Sequence, residues 1–426
     1  MKRRLGVICI LASGTVYQDR VTCLEALPPR EQLKVVQANV VFRHGARTPL
    51  QPMGSPHHHD FHVRWDECHE HKYHELFAPV KICGVDGHPP PNVWKSRSSR
   101  SIDTDVTSIV GNCKPGQLTV LGALQTYELG YTLRKEYVEK HALISARYDP
   151  QQVRVRSTFM TRAVQSAQGV LRGLFDDDST GQCVAEVFVH QPEHETLIPH
   201  EKTCDKLRLL FKRAKQRFNQ HPDEEEVRKM MANRMEHDLD VRHIKLRDSL
   251  VARMTHGIPL PEGWDHELSN KVARLAEWQL EELFVAETEN QRETVRLAIG
   301  RQIREFLENM REKITAMSDA KSMYLYSAHD TTLVPILVAL RVFDGKWPPF
   351  AAYVAIELLE NQQNRGSFFV RVVYNGEEQL LEDFASFERR VCDVIPADFQ
   401  KECTLDEALK MTEQLPADKA STGTSF

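Results

Sequence analysis

Between Phe42 and Pro49 the chain places a cation, an imidazole, a glycine and a second cation in the order Arg43-His44-Gly45-Ala46-Arg47. Guanidinium groups present planar forks of N–H donors that match phosphate or carboxylate oxygens, and they stay charged at any working pH. Between two such cations His44 is favoured as the neutral imidazole, whose free ring nitrogen can attack an electrophile. Gly45 allows a close backbone approach, and Pro49 keeps the chain from entering a helix at once. Together these residue types permit capture of a small anion followed by nucleophilic attack on it.

Two later stretches repeat this plan. The segment from Gln151 to Arg156 reads as a short strand that stops at Arg156-Ser157-Thr158, with Ser157 or Thr158 available to cap the helix that follows. Met323 to Ser327 reads as another strand, which stops at Ala328-His329-Asp330 before an apolar helix beginning at Thr331 or Thr332. Parallel strands ending on one sheet edge deliver their terminal residues to one crevice, so Arg156 can join Arg43 and Arg47 in a three-arginine cradle there.

Such a cradle suits phosphate-monoester hydrolysis, which needs held oxygens, a nucleophile and a proton for a poor leaving group. His44 is the candidate nucleophile. Arg43, Arg47, Arg156 and His329 are the candidates for neutralising the phosphoryl oxygens. Asp330 is the candidate acid, and it can donate only while protonated, which implies optimal turnover below neutral pH unless its pKa is raised.

Arg43-His44-Gly45-x-Arg47-x-Pro49 resembles the active-site motif of the histidine acid phosphatase family. In that family an Arg-Ser-Thr segment, Arg156 onward here, carries the third phosphate-binding arginine, and a His-Asp pair, His329-Asp330 here, carries the proton donor. The resemblance implies a phosphohistidine intermediate, no metal and no cofactor. It implies an α/β, phosphoglycerate-mutase-like fold: a mixed, mainly parallel sheet flanked by helices, with an inserted, mostly helical cap. Gln117-Leu118-Thr119, Leu133-Arg134-Lys135 and Phe343-Asp344 with Lys346-Trp347-Pro348-Pro349-Phe350 look most like the mitochondrial, lysophosphatidate-hydrolysing branch. A lysophospholipid monoester is the implied substrate. Phytase-type relatives share the first motif, so inositol phosphates or a broad range of esters form the alternative.

The elements that must position these residues follow from periodicity. Leu33 to Phe42 is apolar enough for a buried strand. Leu121, Leu124, Tyr127 and Tyr131 repeat at helical spacing, as do Val295, Ile299, Ile303, Phe306, Met310 and Ile314. Ala185 to His190 reads as a strand, and Tyr353–Leu359 with Phe368–Tyr374 read as an antiparallel pair. The expected organisation is a targeting or disordered segment at 1–30, a catalytic core at 31–195 and 319–415, a helical cap at 196–318, and a disordered tail at 416–426.

Composition sets outer bounds. The 426 residues carry a net charge of -5 with 41% hydrophobic residues, so nothing recruits nucleic acid and any positive field must be local. No stretch approaches the roughly 20 apolar residues of a membrane span, which leaves peripheral membrane contact open. Met1-Lys2-Arg3-Arg4 before the short apolar run Leu5 to Ala12 has the form of a signal peptide, and the basic first 30 residues also suit a mitochondrial presequence. The resemblance favours the mitochondrion. Nine cysteines without a C-x-x-C become seven if Cys9 and Cys23 are removed, and no disulfide is assigned. His57, His58, His59, His62, His69, His71 and His74 crowd one loop, read as solvated rather than metal-binding. A metal-dependent His-Asp phosphohydrolase would leave Arg43-His44-Gly45 unexplained, and a catalytically silent lysophospholipid binder would leave His44 and Asp330 idle.

Overall fold

A computed structural model describes residues 27–50, 63–68, 75–85, 87–94, 109–175, 184–234, 243–261, 264–285 and 289–405. The N-terminal segment, the seven loop histidines and the polar tail lie outside the described residues.

Among the described residues eight strands form one sheet in the order β10-β9-β8-β1-β7-β5-β6-β3. They are β1 (Leu33–Arg43), β3 (Val80–Gly84), β5 (Val153–Ser157), β6 (Ala185–Val189), β7 (Met323–Ala328), β8 (Tyr353–Asn361), β9 (Phe368–Tyr374) and β10 (Glu377–Asp383). Two-residue strands β2 (Arg64–Trp65) and β4 (Val110–Gly111) pair separately. From β1 through β7, β5 and β6 to β3 the pairing is parallel, whereas β8, β9 and β10 are antiparallel. A continuous apolar run such as Val40-Val41-Phe42 is what a strand covered on both faces requires, and all three residues are fully buried.

Helices α1 (Val120–Leu133) and α2 (Thr161–Phe175) cover one face of the sheet with Leu129, Val164 and Leu171 against Val40, Phe42 and Leu325. Among the described residues five α-helices then intervene before β7: α3 (Asp205–Arg217), α4 (Glu224–Arg234), α5 (His243–Thr255), α6 (His266–Phe284) and α7 (Glu289–Ile314). The inserted stretch does not pack as one body. Helices α3 and α7 place Phe211, Phe306 and Met310 in the same core as Tyr326 and Ile356 of the sheet. Residues of α4, α5 and the first half of α6 close a smaller core of their own around Val227, Leu246, Leu250 and Val272.

The edges hold what periodicity missed. Strand β3 falls in a stretch that reads as irregular, and β10 with α9 (Phe384–Val391) follows the expected closing hairpin. Two disulfides that the odd cysteine count left unassigned join Cys68 to Cys113 and Cys204 to Cys403. The second ties the start of α3 to the end of α10 (Phe399–Glu402).

Candidate active site

Strands β1, β7 and β5 are parallel neighbours, so their carboxyl ends open on one edge. His44 follows β1 there, and His329 with Asp330 follow β7, Asp330 being the first residue of α8 (Asp330–Ala339). Thr332, expected as a helix starter, is instead the third helical residue, where its hydroxyl accepts from the His329 backbone N–H at 3.2 Å. The expected capping by Ser157 or Thr158 does not occur, since α2 starts at Thr161. The Thr158 hydroxyl instead meets His329 Nε2 at 2.9 Å.

The loop after β1 is held by backbone packing. A Cβ on Gly45 would lie 2.1 Å from the Gly122 carbonyl oxygen, and one on Gly122 would lie 2.0 Å from that of Ala46. The Gly45 and Ala46 N–H groups donate to Ser166 Oγ at 3.1 Å and Gln125 Oε1 at 2.8 Å. The first two turns of α1 and α2 thus fix the motif from one side.

His44 is buried, with Nδ1 2.8 Å from its neighbour's carbonyl oxygen, that of Gly45. A carbonyl can only accept, so Nδ1 carries the hydrogen and Nε2 keeps the lone pair. Burial, followed by Arg162, Arg47, His329 and Arg43, holds the imidazole neutral well below its ordinary range. The His329 ring stands edge-on at 5.3 Å between centroids, and burial next to Arg162 keeps it neutral as well.

Arg43 lies 4.3 Å over the Phe350 ring, donates to the Pro348 carbonyl at 2.7 Å and pairs with Asp330 at 2.7 Å. Burial alone would raise the Asp330 carboxyl, but Arg43 and the Trp347 indole N–H, 2.9 Å from Oδ2, outweigh it and hold the group well below the usual carboxylate range. Arg47 makes a two-pronged contact with Asp248 of α5, at 2.6 and 3.1 Å.

Arg156 is not in this cluster. Side chains alternate across a strand, and Arg156 stands in register with Tyr326, on the face that α7 covers. There its terminal nitrogens meet Glu195 at 2.8 Å, Glu305 at 2.8 Å, Gln302 at 3.0 Å and Thr196 at 2.6 Å. The third cation beside His44 is Arg162, in the first turn of α2. Burial among other cations lowers its pKa to about 9, and its buried Nε, like those of Arg43 and Arg47, has no hydrogen-bond partner. A signal for Arg162 was available: a cation is unfavourable at the positive end of a helix, so one placed there needs another reason. Trp347 and Asp248 were also missed as site residues, and Asp248 reads in sequence as one more charge on a polar helix.

Comparison with known proteins gives the family. The family model "Histidine phosphatase superfamily (branch 2)" matches residues 34–375. Lysophosphatidic acid phosphatase type 6 of Mus musculus is 32% identical over 397 residues, spanning 88% of each chain. The Homo sapiens protein of that name is 30% identical over 390 residues, spanning 88% of this chain and 87% of its own. Lysosomal acid phosphatase of Bos taurus is 29% identical over 333 residues, 71% of this chain and 75% of its own. Among solved structures, Hafnia alvei phytase in complex with myo-inositol hexakis sulphate superposes with a TM-score of 0.57 at 12% identity, covering 89% of this chain and 100% of that one, a likeness of fold.

Proposed function

This chain belongs to the histidine phosphatase superfamily, branch 2, and is a phosphatase, and from that premise we propose that it hydrolyses phosphate monoesters through a phosphohistidine at His44. The observation that carries the reading is the Nδ1–H to Gly45 hydrogen bond, which leaves Nε2 of a buried neutral imidazole as the nucleophile amid cations. In the first step the Nε2–P bond forms as the P–O bond to the alcohol breaks, and Asp330 gives its proton to the departing oxygen. In the second step water attacks phosphorus, its proton passes to Asp330, and the P–N bond breaks to release phosphate. Arg43, Arg47 and Arg162, with His329, hold the equatorial oxygens, and Arg162 takes the place expected of Arg156.

Asp330 pairs with Arg43. A phosphoryl group on Arg43 competes for that guanidinium and adds negative charge nearby. Both effects raise the proton affinity of Asp330 when a proton is needed.

For the substrate, we favour lysophosphatidate, released as monoacylglycerol and phosphate. Two relatives carry that activity in their names, and an apolar cavity lies on the Asp330 side of the cradle. Ile198, Pro199, Phe211, Leu280, Leu283 and Trp347 line the cavity, with Thr331 in its wall, surroundings suited to an alkyl chain on the leaving group. A panel of lysophosphatidate, glycerol phosphate, p-nitrophenyl phosphate and inositol hexakisphosphate tests this. The largest kcat/KM is expected for lysophosphatidate; preference for inositol hexakisphosphate would replace it with a phytase-like reading.

For the compartment, the two disulfides support an oxidising one, the secretory reading of the N-terminal segment, over a reducing compartment. Fractionation of cells expressing the full chain decides between them.

A further inference from the structure

Both arginines of the motif pair with carboxylates. Arg43 holds Asp330, whose chemistry calls it there. Arg47 holds Asp248, for which the reaction has no use. The contact is two-pronged, one terminal nitrogen to each carboxylate oxygen, which is how a guanidinium takes two oxygens of a phosphate. Both side chains are largely buried, at 5% and 17% exposed, so the pair is little weakened by solvent. Asp248 comes from α5, part of the smaller helical core and not of the sheet.

We propose that Asp248 is a built-in competitor for the phosphate subsite, a carboxylate that α5 lays on Arg47 and that an incoming phosphoryl group must displace.

The proposal rests on the reading of Arg47 as a phosphate ligand. A displaced Asp248 is not stranded. Arg162 and Arg247 lie close enough to feel its charge, and Arg247, stacked 4.4 Å over the Trp347 ring, is its chain neighbour. The exchange therefore moves a carboxylate between cations and does not bury an unpaired one. It also weakens the hold on inorganic phosphate after turnover, because Asp248 returns to Arg47 as the product leaves. Since α5 carries the competitor, occupancy of the cradle and the position of this helix are linked.

Calorimetric binding of inorganic phosphate to Asp248→Asn, with KM and kcat for p-nitrophenyl phosphate, tests this. Asn keeps the shape and removes the charge. Phosphate should bind at least 5-fold more tightly and KM should fall in parallel, without a rise in kcat. If Asp248 merely orients Arg47, the variant binds phosphate more weakly; unchanged or weaker binding overturns the proposal. Arg47→Ala separates the two layers. It should weaken phosphate binding and abolish the effect of Asp248→Asn in the double variant. Phosphate binding unchanged in Arg47→Ala would instead overturn the reading of Arg47 itself, and the competitor with it.

Discussion

Arg156 and Arg162 are six positions apart, yet they are expected to fail in different ways when removed. Arg156→Ala leaves the fully buried Glu195 without its cation, a loss of about 3–5 kcal/mol of stability. Arg162→Ala removes a donor beside His44 and should cost roughly 10²–10³-fold in kcat/KM with the fold retained. Thermal melts together with kcat/KM separate the two, and the reverse pattern would restore Arg156 to the cradle. The motif Arg43-His44-Gly45-x-Arg47 is legible because its residues are contiguous and end a strand. Arg156 was read as the third arginine from its place at a strand end, without regard to the side of the sheet it faces. Acidification supplies a second test at this scale. His44 and His329 are held neutral well below the ordinary 6.5 of the unfolded chain. Below about that pH the unfolded state binds more protons, so stability falls as pH drops, whereas Asp330 adds its own loss only below its ordinary 3.8. Melting temperature should decline from pH 7 to pH 5, less steeply in His329→Asn; a flat or rising profile in the wild type would contradict the burial of neutral imidazoles.

At the scale of elements, the site depends on two backbones in contact. Gly45 lies inside the motif and Gly122 in the first turn of α1, and neither has room for a Cβ. Gly122→Ala is expected to push α1 away from the Ala46 carbonyl, costing about 1–3 kcal/mol and moving His44 relative to His329. A variant with wild-type melting temperature and wild-type kcat would show that this contact does not set the site. The strands that end at His44 and at His329-Asp330 are legible in sequence, since β1 and β7 are largely apolar runs with clear ends. Strand β3, which pairs only at the sheet edge with β6, is not, because its five residues carry Lys81 and lie between turn-forming stretches. The pairing of Gly45 with Gly122 joins residues far apart in the chain, so no local pattern announces it.

Across the whole molecule, a mainly parallel sheet brings three strand ends together and helices of the long insertion close over them. The insertion divides by packing. Helices α3 and α7 extend the sheet's own core, whereas α4, α5 and part of α6 form a second one that carries Asp248 and Arg247 to the phosphate cradle. Helical periodicity marks individual helices such as α7 but not this division, because an apolar stripe records that a helix is buried and not against which partner. We infer that the cap over the site is this smaller unit. Turnover as proposed passes through covalent transfer to one imidazole. Acid quenching during turnover of a ³²P-labelled monoester, followed by peptide mapping, should find the label on His44, with none in His44→Ala. Turnover at full rate with no label on His44 at any quench time would contradict it.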